Sequence, residues 1–345
     1  MRSNLDRKPK TPCPVAFKNP DGTLVAVMYN AGAAKPSIRE KTVKRSSGIT
    51  PLMFAWIAVA GCCTPRDEES PCSDTAVDAS EPYSSTIDAG GAGPLTILLY
   101  TYSNGYRHAS IPDGINAIRA LGAANGFGVD VQGSQLNARG SYCANQPTAA
   151  DAATFTAGNL AQYAAVVFLN TTTMPEGVLV DDAGKAAFEA YIRAGGGFVG
   201  IHAAADAEYG WDFYHELLGA TFLGHGAPVT SSLRMEAPGH AVTSTLPNPW
   251  SRFDEWYDFT KNPRPTVHVL IDLDETTYPN NPYPMGDHPI AWCKTVGAGR
   301  SVYTGLGHTP EAFGDALVRQ HLLGSILYAA GAIAADCSPS GTRKS

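Results

Sequence analysis

An α/β fold, in which helices cover both faces of a parallel sheet, is predicted for about residues 94–335. Short apolar runs rich in β-branched and aromatic residues, such as residues 95–102, alternate along this stretch with segments that have helical spacing. Such alternation is typical of βαβ units, which build parallel sheets. The 345-residue chain is 44% hydrophobic and 9% aromatic, which is enough to form a buried core.

The first four strands are predicted at residues 95–102, 128–132, 164–170 and 197–201. Each is a short apolar run bounded by turn residues, as expected of strands that are buried on both faces. Helical spacing predicts a first helix at residues 111–125. A second helix begins at Asp181 or Asp182, because either side chain can cap it. This helix runs to Arg193, and Gly195 is its stop signal.

The later part of the domain is richer in strands. Residues 267–274 and 290–296 alternate between apolar and polar side chains, and residues 300–306 form an apolar run. A closing helix is predicted at residues 310–330, and the turn-rich segment 275–289 is predicted to be a loop. We therefore expect β-rich C-terminal additions to a mostly parallel sheet.

An export signal is indicated upstream of this domain. A basic patch at residues 41–45 precedes an apolar run at residues 49–60. The run is shorter than the ~20 residues that span a bilayer, and it ends in small residues before Cys62, as secretory signals do. This pattern resembles a bacterial lipobox, which implies cleavage before Cys62 and attachment of lipid to its thiol. The alternative is a buried apolar helix or an uncleaved anchor.

Four segments are therefore expected along the chain. Residues 1–61 are an N-terminal extension with a lipoprotein signal peptide, and residues 62–93 are a flexible tether rich in Ser, Pro, Asp and Gly. Residues 94–335 are the folded domain, and residues 336–345 are a disordered tail. The mature protein is expected to be lipid-anchored to the bacterial cell envelope, on the periplasmic or outer side, and to contact the membrane through the anchor only.

Charge is distributed unevenly between these segments. Residues 1–61 carry ten Lys and Arg against three Asp and Glu, whereas the remainder carries 15 against 29. The acidic surface expected of the folded domain repels phosphate backbones, so nucleic-acid binding is not expected. Seven cysteines occur in the chain, but their spacing predicts neither a metal motif nor a disulfide pairing.

The segment most informative about chemistry is GGGFVGIHAAAD, residues 195–206. It predicts a buried strand, a sharp turn at His202 and the start of a helix. A side chain on such a turn projects above the carboxyl end of the sheet, where open α/β sheets bind ligands. A histidine with a purely structural role is the alternative.

Further histidines and acids occur at predicted strand ends or in loops. His108 follows the first strand, and His308 follows the apolar run that ends at residue 306. His225 follows a short helix, and the pair Asp254 and Glu255 lies between aromatic residues. Because the carboxyl ends of parallel strands meet at one edge of a sheet, we expect these side chains to lie close together.

Several of these segments together resemble the ThuA-like (trehalose utilisation) family of the class I glutamine-amidotransferase-like superfamily. The resemblance is carried, in order, by YRHASIP, GGGFVGIHAAAD, LLGATFLGH, DEWYDF, HPIAWC and GRSVYTGLGH. It covers about 240 residues and implies a flavodoxin-like three-layer α/β/α sandwich with a loose link to sugar metabolism. Amidotransferase-like folds normally carry a cysteine nucleophile at the turn where this chain has His202, so thiol chemistry is not expected.

The site is assigned from these residue types. The expected catalytic residues are His202, Glu255, His308 and Asp254. The expected substrate-binding residues are His108, Tyr257, Trp292 and Trp256, whose rings can stack on a sugar or pack in the core. The expected metal ligands are His202, His225 and His308, because imidazoles with a carboxylate can hold a divalent metal such as Zn²⁺. Without a metal, His202 and Glu255 serve as base and acid.

Two functions fit this site. The first is an enzyme that acts on a carbohydrate or keto-sugar derivative by hydrolysis, elimination or isomerisation, with metal assistance where a metal is bound. The alternative is a non-catalytic carbohydrate-binding lipoprotein. Both interpretations give the protein a small-molecule carbohydrate partner, and neither indicates an oligomeric state.

Overall fold

A computed structural model describes residues 14–18, 24–28, 95–137, 140–143, 151 and 153–341. The chain divides into two compact units, residues 1–64 and 65–345. In the first unit, strands β1 (Pro14–Lys18) and β2 (Leu24–Met28) pair antiparallel. The predicted signal run, Cys62 and the tether lie outside the described residues. Within the described part of the chain, no helix combines the length and the apolar character needed to cross a bilayer.

The second unit alternates strands and helices. Its strands are β3 (Thr96–Tyr100), β4 (Gly128–Gln132), β5 (Ala165–Leu169), β6 (Gly197–Ile201), β7 (Phe222–His225), β8 (Val229–Met235), β9 (Trp250–Asp254), β10 (Tyr257–Phe259), β11 (His268–Leu273), β12 (Pro289–Val296) and β13 (Gly299–Thr304). Its helices are α1 (Ile111–Asn125), α2 (Ala157–Leu160), α3 (Asp182–Arg193), α4 (Asp212–Leu218), α5 (Pro310–Gly314) and α6 (Ala316–Ala329). The four predicted N-terminal strands therefore agree with the structure to within two residues at each end.

The main sheet of the described residues has nine strands in the order β4-β3-β5-β6-β13-β12-β11-β8-β9. Strands β4, β3, β5, β6 and β13 are parallel, whereas β12, β11, β8 and β9 extend the sheet with antiparallel pairs. The expectation of a mostly parallel sheet thus holds for one half only. In the other half the chain returns through tight connections, such as residues 297–298 between β12 and β13, and these produce antiparallel neighbours.

Helices cover both faces of this sheet. On β6, a Cβ atom at Gly197 would collide with the backbone of Ala329 in α6, whereas one at Gly200 would meet Leu218 in α4. Side chains alternate between the two faces of a strand, so positions 197 and 200, which are three residues apart, point to opposite faces. Helices α6 and α4 therefore lie on opposite sides of the sheet. Because the backbone of α6 approaches so closely, only glycine fits at position 197. The result is three layers with the apolar core between them.

The closing helix differs from the prediction. It is two helices, α5 and α6, separated at Asp315, whose backbone is extended at φ −76° and ψ 128°. The Asp315 carboxylate accepts hydrogen bonds from the backbone N–H groups of Leu317 and Val318 and so caps α6. Asp181 caps α3 in the same way through Gly184, which resolves the predicted choice between two aspartates.

The C-terminal segment is attached to the sheet. A disulfide joins Cys293 in β12 to Cys337, and the backbone N–H of Ser340 donates to the carbonyl of Val267. Residues 336–341, which the sequence assigns to a disordered tail, are therefore fixed beside β11. This attachment is hard to predict from the sequence, because it depends on a disulfide and on hydrogen bonds between residues that are far apart in the chain.

Candidate active site

The site is centred on His202, at the carboxyl end of β6. His202 has a positive φ of 46°, a left-handed conformation that L residues rarely adopt, and it begins a short 3₁₀ turn at residues 202–205. Holding a histidine in this conformation costs of order 1–3 kcal/mol, and such strain is concentrated at functional sites. The sharp turn expected from the sequence is thus present, and it directs the imidazole above the sheet edge.

A hydrogen bond selects which nitrogen of His202 faces the site. The Nδ1 atom lies 2.9 Å from the carbonyl oxygen of Gly305, which can only accept, so Nδ1 carries the hydrogen. In the neutral ring this leaves Nε2 with a free lone pair. Metal-binding histidines commonly donate their second nitrogen to a backbone carbonyl in this way.

Three other chain segments bring side chains to the same place. His308 follows β13 through a loop in which Gly307 has φ 118°, and a Cβ atom there would press on Phe313 and Ile201. Glu255 joins β9 to β10, and His108 lies between β3 and α1. The carboxyl ends of β3, β6 and β13 share one edge of the sheet, which explains how residues 200 positions apart meet.

The four side chains form a compact group with Glu255 at its centre. Its Oε2 atom lies 3.6 Å from Nε2 of His202 and 3.2 Å from Nδ1 of His308. One ligand-type atom from each of His108, His202, Glu255 and His308 lies within 4.8 Å of all the others. Around a tetrahedral Zn²⁺ with bonds of about 2.0–2.1 Å, ligand atoms are about 3.3 Å apart, so these separations fit a divalent cation.

Three of the nitrogens in this group lack hydrogen bonds. Among the described residues, Nδ1 of His108, Nε2 of His202 and Nδ1 of His308 are buried and have no hydrogen-bond partner. Leaving a buried polar atom unpaired costs roughly 1–3 kcal/mol, so three together at one point are unusual in a purely structural cluster. A cation bound between them would satisfy all three.

The group contains one carboxylate that stays ionised, one imidazole that stays neutral and one imidazole that holds its proton more strongly than usual. Burial raises the pKa of Glu255, but the neighbouring imidazoles of His202 and His308 outweigh burial and hold this pKa well below its usual range. Burial and the same two imidazoles lower the pKa of His108 to about 2, so its ring is neutral at pH 7. Burial also lowers the pKa of His308, but the Glu255 carboxylate reverses this and raises it overall.

A family model described as ThuA, trehalose utilisation, matches residues 96–329, about two thirds of the chain. The chain belongs to the ThuA family. The match spans all four residues of the site and confirms the resemblance seen in the sequence motifs. No curated protein is significantly similar to the chain in sequence.

Two solved structures of ThuA-like proteins have the same fold. One, from Bacteroides uniformis ATCC 8492, is 25% identical, and the match covers 72% of this chain and 95% of that protein with a TM-score of 0.55. The other, from Parabacteroides merdae ATCC 43184, is 20% identical, covering 69% and 90% with a TM-score of 0.51. The ThuA domain is therefore a flavodoxin-like, amidotransferase-like α/β/α sandwich, here with a mixed sheet.

Of the predicted metal ligands, His225 is not among the four residues of the ThuA domain's compact group, although it contacts Glu255. Its Nδ1 atom is 3.2 Å from Oε1 of Glu255, the carboxylate oxygen that faces away from His202 and His308, and its side chain is 40% exposed. His108, predicted to bind substrate, belongs to the group instead. His225 ends β7, which pairs with β10 in a separate two-stranded sheet.

Three of the predicted site residues are buried in the protein interior and hydrogen-bonded to the backbone. Trp256 and Trp292 are fully buried, and their indole N–H groups donate to the carbonyls of Val229 and Leu218. Their predicted stacking on substrate is therefore corrected, because neither ring has a free face. Asp254 is also fully buried and faces the backbone amides of Glu255 and His308, so the structure does not place its carboxylate where the predicted catalytic role requires it.

The remaining predicted aromatic, Tyr257, packs against the His202 imidazole. Its buried ring packs on the His202 imidazole with ring centres 4.2 Å apart. The aromatic residue available to a ligand is Tyr106, which is 68% exposed and meets the His108 ring edge-on at 4.9 Å. It lies in the YRHASIP motif, so its proximity to His108 in sequence was the signal that could have identified it.

Asp206 is a candidate site residue, because the nearby His202, His225 and Glu255 side chains influence its pKa. Tyr209 donates a hydrogen bond to its carboxylate. Burial raises the pKa of Asp206, although the Tyr209 hydrogen bond and the nearby His202 imidazole oppose this. The sequence offered only its position four residues after His202, which fits a helix cap equally well.

Proposed function

We propose that this ThuA-family chain is an enzyme that acts on a carbohydrate or keto-sugar derivative, by hydrolysis, elimination or isomerisation, with a divalent cation held by His108, His202, Glu255 and His308. The observation that carries the proposal is the convergence of three buried, unpaired imidazole nitrogens on one ionised carboxylate. In a purely structural cluster Glu255 would pair with a protonated His308 at 3.2 Å, and the neutral His108 would keep a buried nitrogen without a hydrogen bond.

The chemistry follows from the types of group present. A bound cation would polarise a substrate carbonyl and lower the barrier to removing a proton beside it. Asp206 holds a proton more readily than an ordinary aspartate, and Tyr209 orients its carboxylate, so this pair is the proposed proton carrier. His225, which reaches Glu255 from the exposed side, is the second group able to move a proton.

A carbohydrate substrate is supported by the rim of the site and by the family description. The exposed ring of Tyr106 beside His108 can stack on the apolar face of a sugar. The family that matches this chain carries the description trehalose utilisation. A keto-sugar fits best, because its carbonyl gives a cation an oxygen to polarise.

Removal of the metal tests the proposal. Chelator-free protein should contain at least one equivalent of a divalent metal and should turn over one or more members of a keto-glycoside panel. Dialysis against EDTA should abolish this turnover, and Zn²⁺ or Mn²⁺ should restore it, while circular dichroism shows an unchanged fold. Full activity of metal-free protein would contradict the role of the cation. Sugar binding without any turnover would favour the non-catalytic binding protein instead.

We also propose that the protein is exported and anchored by lipid at Cys62. The support is the basic patch, the short apolar run and the small residues before Cys62 in the sequence. Radiolabelled palmitate should be incorporated into the full chain in a bacterial host, and Cys62→Ala should abolish labelling and release the protein from membranes. Cys63→Ala is the matched control and should still be labelled. Equal labelling of both variants would rule out the assignment.

A further inference from the structure

A second group of ligand-type side chains lies beside the proposed active site, and none of its members belongs to that site. The group is Asp258, Glu275 and His288, and one ligand-type atom from each lies within 4.8 Å of the others. Tyr257 lies between the two groups: its ring packs on His202, and its backbone carbonyl meets His288. Asp258 is in β10, His288 precedes β12, and Glu275 lies in the loop between β11 and β12.

Each ring nitrogen of His288 lies within hydrogen-bond distance of an oxygen, one from the backbone and one from Glu275. Its Nε2 atom lies 2.9 Å from the carbonyl oxygen of Tyr257, which can only accept, so Nε2 carries a hydrogen. In the neutral ring, Nδ1 then has a free lone pair. This atom lies 2.9 Å from Oε1 of Glu275 and 4.0 Å from Oδ1 of Asp258. The arrangement matches that of His202, whose second nitrogen is also held by a backbone carbonyl.

The carboxylates of the group are fixed before any ligand arrives. Glu275 accepts hydrogen bonds from the backbone N–H groups of Met285 and Gly286, one on each oxygen. Asp258 is completely buried, and its Oδ1 accepts a hydrogen bond from the Asn281 amide. Its Oδ2 has no hydrogen-bond partner among the described residues. A buried carboxylate oxygen without a partner is expensive, and a cation is the group that would compensate it.

We propose that Asp258, Glu275 and His288 hold a second divalent cation. One imidazole nitrogen and two carboxylate groups form a mixed N/O set, which suits Zn²⁺ or Mn²⁺ better than Ca²⁺. Two of the ligands are the first and last residues of the turn-rich segment from Glu275 to His288, and the third lies in β10. The cation therefore fastens this segment to β10, next to the Tyr257 ring on which His202 rests. The inference goes beyond the proposed function, because none of its ligands takes part in that site.

The same side chains also allow a metal-free arrangement. A protonated His288 could pair with Glu275 and Asp258 as an internal ion pair, and no cation would then bind. The unpaired Oδ2 of Asp258 favours the cation, because an imidazolium donating from Nδ1 to Glu275 leaves this oxygen without a partner.

Metal stoichiometry distinguishes the two arrangements. The full chain, stripped with a chelator, is titrated with Zn²⁺ by calorimetry, and the bound metal is counted by elemental analysis after gel filtration. Wild type should bind two equivalents, and Asp258→Asn should bind one. Glu275→Gln, which alters a less buried side chain, should also bind one and serves if Asp258→Asn does not fold. Glu216→Gln is the control, because its exposed carboxylate lies in α4, and it should bind two.

The Glu255→Gln variant separates this inference from the proposed function. It should keep the second cation and lose the first, so that one equivalent remains. A single equivalent in wild type that disappears in Asp258→Asn but persists in Glu255→Gln would support the second site while contradicting the first. Equal stoichiometry in wild type, Asp258→Asn and Glu275→Gln would overturn the second site and leave His288 as an internal ion pair.

Discussion

The Glu255→Gln variant should lose about 10³-fold or more of kcat/KM on any keto-sugar that the wild type turns over, which is the scale expected when acid–base or metal-centred chemistry is removed. Glu255 is the sole anionic member of its group, and its two oxygens together contact three histidines at 3.2–3.6 Å. Glutamine keeps the shape but removes the charge, so a divalent cation loses its only charge compensation among the four ligands.

The measurement is steady-state kinetics with added metal, together with the metal content of each variant. Glu216→Gln is the matched control, because its carboxylate lies on the surface and contacts Arg193, and it should keep wild-type kinetics. A fall in activity of less than tenfold in Glu255→Gln, with the metal retained, would show that this carboxylate is not part of the chemistry.

The parallel half of the fold could be predicted because its strands are continuous apolar runs. Strand β5 is buried at every position, and β6 is buried on both faces, so each strand appears in the sequence as a short hydrophobic block. The antiparallel half gives a weaker signal. Strand β8, VTSSLRM, buries Ser231, which interrupts any apolar pattern, and its neighbours are determined by pairing with distant strands.

The site was predictable where it depends on strand ends. His202 and His308 lie together because β6 and β13 are adjacent and parallel, so their carboxyl ends coincide. The positions of His108 and His225 were assigned less well, because each depends on the course of a loop or of the small β7–β10 sheet. Residue type could not separate exposed aromatics from buried ones: Tyr106 is open to solvent, whereas Trp292 is enclosed by Phe259 and Tyr303.

The Asp254→Ala variant should lose about 3–5 kcal/mol of the free energy of unfolding, because two buried amides and one partly buried amide lose their acceptor at roughly 1–3 kcal/mol each and such losses are rarely additive. Oδ1 of Asp254 accepts hydrogen bonds from the backbone N–H groups of Glu255 and His308, and Oδ2 accepts one from Gly307, all at 3.0 Å. Urea denaturation measures the loss. Asp212→Ala, which removes an exposed carboxylate from the first turn of α4, should change stability by less than about 1 kcal/mol.

Through the same hydrogen bonds, we expect Asp254 to affect the chemistry without touching a ligand. They join the segment that carries Glu255 to the loop that carries His308, so the distance between these two ligands depends on the Asp254 carboxylate. Asp254→Asn keeps one acceptor oxygen but turns an amide N–H₂ toward one or more of these donors, so it should fold with an intermediate loss of stability. Its affinity for Zn²⁺ should fall about 10- to 100-fold, as is typical when a residue that orients metal ligands is changed. Unchanged Zn²⁺ affinity in a folded Asp254→Asn protein would mean that Glu255 and His308 are positioned without it.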